Sequence, residues 1–244
     1  MFSRRKYQVF TYYYHVDNPD RWNTDFSELK ENGFQYLVVS EGFDLRNLLT
    51  TDSEKEQLFR FLDAVNSQGL SCILNIGNPR ELYILPDARR WRIDYIRHVA
   101  ETLGDHPALY ALMLEASPTG GANAGLDRWK ILTAELEGRI ESDNLTGDGY
   151  QHAVKRWQME QYTDYIGEIV GVIKKARPRL KTTISFCMDA LFPNQALVHF
   201  QDVARHLDFV IIDAGSGWVG DPNEGRYLHR FVTNVATELV NKAV

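Results

Sequence analysis

Cysteine is nearly absent from this sequence. Cys72 and Cys187 are the two in 244 residues, each inside an apolar run (Ser71-Cys-Ile-Leu and Ile184-Ser-Phe-Cys). A disulfide-stapled scaffold is cysteine-dense, so both are expected as buried free thiols. Long apolar runs are missing too. No stretch reaches the ~18 residues of a membrane span, and no membrane partner is expected. The opening Met1-Phe-Ser-Arg-Arg-Lys leads into Tyr-Gln-Val-Phe-Thr-Tyr rather than an apolar signal core, so no targeting signal is read and the location stays open. Positive charge is in deficit, with 27 Lys and Arg against 33 Asp and Glu and a net charge of -6. Nucleic-acid binding needs excess Lys and Arg to displace counterions from phosphates, so it is not expected.

Several chemical signatures are also lacking. No Gly-x-Gly-x-x-Gly or Walker pattern follows the first strand-like segment, which lowers nucleotide binding. The seven histidines show no His-x-His or His-Glu-x-x-His spacing, so no metal site is read. No lysine stands at an expected strand C-terminus to form a Schiff base, and no Gly-x-Ser-x-Gly elbow marks a serine hydrolase. No cofactor is expected. Asn144-Leu-Thr146 is a glycosylation sequon, a triplet common enough by chance to carry little weight.

What is present is ordinary for a soluble globular chain, at 44% hydrophobic and 25% charged residues, except that 12% are aromatic. That exceeds what core filling alone asks for. Strand-like and helix-like segments alternate. Strands are expected over residues 7–14, 34–40, 70–76, 109–114, 182–188 and 208–212. Helices are expected over 20–32, 53 to about 68, 92–103, about 157–176 and near the C-terminus, the last through Leu228, Val232, Val235 and Leu239. Ser53 with Glu56 reads as a capping box, and Gly33, Gly69 and Gly104 stand at helix ends. A polar, Gly-rich insertion spans 119–150, with a short helix expected over 129–140. The pattern implies βαβ units and a parallel sheet in one (β/α) TIM-barrel-like domain over 1–244, with about six units visible of the usual eight. Each strand ends in polar or Gly-rich residues, and in such sheets chemistry gathers at that edge.

The segment from Asp105 to Pro118 (Asp-His-Pro-Ala-Leu-Tyr-Ala-Leu-Met-Leu-Glu-Ala-Ser-Pro) resembles the fourth-strand signature of clan A glycoside hydrolases, the cellulase-like and β-galactosidase-like barrels. That signature runs His-Pro, an apolar strand, then Asn-Glu-Pro, where the Glu is the general acid/base. Phe10-Thr-Tyr-Tyr-Tyr, Trp22-Asn-Thr-Asp25-Phe26, Leu29-Lys-Glu-Asn-Gly-Phe34 and Gly69-Leu70 resemble the family's opening units in order. The resemblance covers residues 7 to about 118, and 181–220 as pattern. It implies hydrolysis of an O-glycosidic bond and a carbohydrate as substrate or ligand.

The signature also departs from the family. Aligned without gaps from His106-Pro107, the family's Asn-Glu falls on Ala116-Ser117, and a serine cannot protonate a leaving group near neutral pH. Glu115 lies two residues before Ser117, on the same side of an extended strand and about 6.6 Å away along it. It is the candidate acid, the other reading being that it orients its neighbours by hydrogen bonding. Asp213 is the second catalytic candidate. Tyr13, His15, Glu41, Asn78, Ser117, Asp189 and Trp218 are candidate substrate-binding residues. The aromatics would stack on sugar rings and the acids would hold hydroxyls, though Glu41 pairs as readily with Arg46 or a neighbouring loop, and Asp189 or Asp213 taken alone is more often a helix cap or loop anchor.

Two other functions fit the same residues: a carbohydrate-binding barrel without catalysis, and a barrel isomerase or lyase using Glu115 and Asp213 on a small substrate. Length enters here. One helix follows strand six before Val244, so a seventh strand, on which the family carries its nucleophile, would lie beyond the chain. Six strands do not close an eight-stranded barrel. The expectation is a fragment of a longer product, or a barrel covered in another way.

Overall fold

The computed structural model describes residues 10–39, 52–77, 86–116, 148–187 and 198–213. Six strands, β1 (Phe10–Tyr12), β2 (Tyr36–Val39), β3 (Ser71–Asn75), β4 (Leu109–Ala116), β5 (Lys181–Cys187) and β6 (Ile211–Asp213), form one sheet in sequence order. The pairs β1–β2, β2–β3, β3–β4 and β5–β6 are all parallel. The intervening helices are α1 (Pro19–Glu31), α2 (Asp52–Ser67), α3 (Pro86–Leu103), α4 (Asp148–Ala176) and a short α5 (Phe200–Ala204). The (β/α) alternation expected from the sequence is thus present, strand for strand.

The chain divides into two compact units, one of Met1–Asn78, Asp94–Ala116 and Val172–Ile184, the other of Pro79–Ile93, Ser117–Gly171 and Ser185–Val244. In the first, register and alternation sort the strand residues onto two faces. Thr11, Leu37, Cys72 and Leu109 share a row on the helix side. Tyr12, Val38, Ile73 and Ala111 share one on the other. An irregularity between Cys72 and Ile73 absorbs one residue of β4. The helix side is packed with Trp22 and Phe26 of α1 and Leu58, Phe61, Leu62 and Val65 of α2, at most 4% exposed. These are the i, i+3, i+4 positions that the sequence marks as apolar. Phe61 is the hub, with ring centroids 5.2 Å from Trp22, 5.6 Å from Phe26 and 6.1 Å from Tyr13. In the second unit Tyr162, Tyr165, Ile166 and Ile169 make the buried ridge of α4, and Phe186 meets Phe200 edge-on at 5.0 Å.

The C-terminal ends of α1 and α2 use the same device. Gly33 and Gly69 take positive φ (84° and 64°). Gly33 N–H donates to Lys30 O and Phe34 N–H to Leu29 O, while Gly69 and Leu70 do the same to Asn66 and Val65. This is the Schellman arrangement, which glycine enters without a Cβ penalty.

Boundaries differ where local signals mislead. The second helix begins at Asp52, so Ser53 lies inside its first turn and is not the N-cap that the capping-box reading made it. Asp52 and Glu54 supply the acidic first turn that favours a helix N-terminus. The third helix starts at Pro86, six residues before the expected position, because proline is well suited to a first turn. The fourth helix starts at Asp148 rather than 157, within the expected insertion, and the sixth strand begins at Ile211. The expected helices over 129–140 and near the C-terminus lie outside the described residues.

Candidate functional site

The fourth strand is longer than the sequence implied, running to Ala116, so Glu115 is held in regular extended backbone. It is 6% exposed. Met113 pairs with Asn75 in register, and Glu115 follows Met113 by two residues, so Asn75 and Glu115 share the face away from the helices. Asn75 is 7% exposed, and its Oδ1 accepts the Gly77 N–H at 2.9 Å, fixing the turn that leaves β3. Sequence reasoning singled out Asn78 and passed over Asn75. The signal was there, since Asn75 is the polar residue closing an otherwise apolar strand, and such residues face the functional edge.

The start of β4 explains the His-Pro of the resemblance. The Nδ1 of His106 accepts the Ala108 N–H at 3.2 Å, which leaves Nε2 to carry the proton towards Asp63 Oδ1, also at 3.2 Å. His106 therefore shapes the entry into the strand that presents Glu115.

At β1 the structure separates three adjacent residues. Tyr13 turns to the helix side. It is 5% exposed, has its ring against Phe26 and Phe61, and donates its hydroxyl to Asp25 Oδ2 at 3.0 Å. Burial foremost, then the hydrogen bond and charge of Asp25, raises its pKa well above the usual tyrosine value. These contacts place Tyr13 in the core, not on a surface open to a sugar. His15 is exposed and lies edge-on to Tyr13, and its carbonyl accepts the Trp22 indole N–H at 3.2 Å. Tyr14, which sequence reasoning did not single out, stands on the opposite face and is 60% exposed.

The other candidates are distributed as follows. Asp213 is the last residue of β6, its backbone paired with Cys187, in the second unit. Glu41, Asn78, Ser117, Asp189 and Trp218 lie outside the described residues. Cys72 is a buried free thiol, its pKa pushed up to about 12 by burial. A cleft of about 320 Å³ lies on the helix side of β1, lined by Thr11, Tyr13, Asp25, Glu28 and Asn32 among others. That is the face opposite to Glu115. Among the described residues no group of three or more His, Cys, Asp or Glu is placed to hold a metal, and no helix is long and apolar enough to cross a membrane. Low on the Glu115 face, Lys181 Nζ donates to Tyr110 Oη at 2.7 Å, and the Tyr110 ring lies 4.7 Å from that of Tyr36. Burial, and then the neighbouring Tyr110, raises the Tyr36 pKa.

No protein-family model and no curated protein sequence matches the chain. Solved structures do. The β-galactosidase of the psychrophilic Marinomonas ef1 superposes with a TM-score of 0.69 at 16% identity, covering 96% of this chain and 47% of that one. A catalytic mutant of Gan42B, a GH42 β-galactosidase from G. stearothermophilus, gives 0.70 at 17%, covering 97% and 44%. A variant of GH5_18 from Streptomyces cattleya, in complex with Manβ1-4GlcNAc, gives 0.61 at 16%, covering 86% and 52%. At these identities the likeness establishes the fold, that of the glycoside hydrolase TIM barrels, and the chain spans about half the length of the structures it matches.

Proposed function

We propose that the protein belongs to a glycoside hydrolase acting on O-glycosidic bonds of a carbohydrate, with Glu115 as the proton donor. The observation that carries this is a buried carboxyl, Glu115, near the C-terminal end of the fourth strand of a glycoside hydrolase-type sheet, on one face with Asn75. A general acid in glycoside hydrolysis is a carboxylic acid positioned to give its proton to the glycosidic oxygen, and Glu115 is the carboxyl this strand holds at that edge. Asn75, tied to the turn at Gly77, is a rigid amide on the same face and suits a sugar hydroxyl. Asp213 is the second carboxylate of this proposal, with Ser117, Glu41, Asn78, Asp189, His15 and Trp218 as binding residues. Tyr13 supports that edge from the core.

A panel of aryl β-glycosides tests the proposal. The wild-type chain is expected to release the aryl alcohol from at least one sugar, and Glu115→Gln to lose that activity with its thermal transition retained. Unchanged turnover in Glu115→Gln would remove Glu115 from the mechanism. Asp213→Asn is expected to lower activity on the same substrate, and full activity there would remove Asp213.

A second function has one observation in its favour. The family's Asn-Glu pair falls on Ala116-Ser117, so a barrel that binds carbohydrate without cleaving it fits the same fold. Sugar binding with no hydrolysis on the whole panel would select it.

A further inference from the structure

We infer that His106 is an acid-released latch on β4: its neutral imidazole accepts the first N–H of the strand's entry, and a proton on Nδ1 releases it. This holds whether or not the chain cleaves glycosides, although the strand concerned is the one that carries Glu115.

The latch is built around Pro107. Proline has no N–H, so Ala108 supplies the first donor after His106. That N–H goes to His106 Nδ1 at 3.2 Å, and the Ala108 carbonyl accepts the Cys72 N–H at 2.6 Å, at the foot of the β3–β4 ladder. Ala108 is fully buried, so its N–H has no water to turn to. Leu109 N–H closes the turn on the His106 carbonyl at 2.9 Å. On the other side the ring lies beside Phe59, with centroids 5.8 Å apart, and Nε2 is 3.2 Å from Asp63 Oδ1, both residues of α2. Among the described residues Asp63 is the ionisable group that meets the ring. The neighbouring Asp105 is turned to Arg177 at 3.0 Å.

Protonation therefore acts oppositely at the two nitrogens. Nδ1 accepts only while it is bare. A proton there would set N–H against N–H and leave the buried Ala108 donor unpaired, which is the costly way to lose a hydrogen bond. The same proton would make the Asp63 contact an ion pair. The Asp63 side chain, however, is 75% exposed against 7% for His106, and a pair open to water gains little. The backbone bond outweighs it. The folded chain thus favours the unprotonated ring and the unfolded chain takes the proton more readily, so stability falls as pH drops through the range where imidazoles charge.

Thermal transitions of the full chain at about pH 7.5 and about pH 5.5 test this, with wild type set against His106→Asn, His106→Ala and Asp63→Asn. Asparagine offers its Oδ1 to the same N–H two residues on and gains no proton. From the higher to the lower pH, His106→Asn should gain about 2–4 °C on wild type. His106→Ala, with no acceptor, should lie below both at the higher pH. Asp63→Asn should lose more in acid than wild type does. A His106 that serves as an ion-pair partner predicts the reverse, with wild type gaining on His106→Asn in acid and Asp63→Asn abolishing the gain. That result overturns the inference, as does a gap that stays constant with pH. Nitrogen-15 spectra of the wild-type imidazole give a reading that needs no variant. At the higher pH Nδ1 should be bare and Nε2 protonated, and a proton found on Nδ1 there also overturns the inference.

Discussion

The hydroxyl of Tyr13 is the clearest case of one side chain settled by its neighbours. It donates to Asp25 Oδ2 from a ring packed among Phe26 and Phe61, and a buried hydrogen bond to a charged acceptor contributes about 1.5–3 kcal/mol. Because Asp25 also accepts from Arg21 at 3.4 Å, Tyr13→Phe leaves the carboxylate partly satisfied, so the expected loss is at the low end, about 1–2 kcal/mol. Its pH dependence follows from the raised pKa. A hydroxyl whose folded pKa exceeds the unfolded value of 10.0 stabilises fully below about pH 10, and that contribution is lost as pH rises through the folded pKa. The gap between wild type and Tyr13→Phe should therefore be constant from neutral pH to about pH 10 and shrink above it. Urea unfolding at two pH values checks this, and a gap that widens in alkali would contradict it. The same position shows a limit of sequence reading. Three consecutive tyrosines gave no sign of which one the pleat would turn outward. That choice depends on where the strand pairs, and pairing is a tertiary fact.

Among elements, helix ends were the most legible and helix starts the least. Gly33 and Gly69 end their helices as the sequence implied because only residues at ease with positive φ complete a Schellman turn. Starts went astray at Ser53, Arg92 and Trp157, since apolar periodicity begins only where a helix meets the core. At the end of α3, Gly104 is required for space and not for its φ. A Cβ there would strike the Ala100 carbonyl and come within 2.6 Å of Arg177 Cγ. Arg177 cannot easily yield, because its Nη2 donates to Glu101 O at 2.8 Å and meets Asp105 Oδ2 at 3.0 Å. Gly104→Ala is therefore expected to destabilise by about 1–3 kcal/mol despite alanine's better helix propensity. Arg177→Ala should cost about 1–2 kcal/mol by uncovering the last carbonyls of α3. Asp105→Asn should cost about 0–1 kcal/mol, because that carboxylate is largely exposed and its ion pair screened. Thermal denaturation of the three variants checks the order, and an Asp105→Asn loss equal to that of Arg177→Ala would show that the ion pair, not the carbonyl cover, holds the junction.

At the scale of the whole molecule, the parallel sheet was legible because buried strands such as Leu37-Val-Val and Ile73-Leu separate amphipathic helices at a steady interval. The candidate acid was legible only through the His-Pro resemblance, and His106 turns out to shape the entry to β4. The sequence carries the strand only to Leu114, with Glu115 and Ser117 in extended backbone beyond it, and the structure carries β4 itself to Ala116. Whether Glu115 donates a proton or only orients its neighbours can be decided by leaving-group chemistry. A general acid matters in proportion to the basicity of the departing oxygen, because a poor leaving group needs its proton in the transition state and a good one does not. In Glu115→Gln, dinitrophenyl glycosides should therefore be cleaved nearly as fast in the bond-breaking step as by wild type. Nitrophenyl glycosides should lose more, and alkyl glycosides about 10²–10⁴-fold. An orienting residue would instead depress every substrate by the same factor, because misplaced neighbours do not sense which group leaves. A plot of log kcat/KM against leaving-group pKa separates the two: a steeper slope in the variant assigns the proton to Glu115, and a parallel line withdraws it.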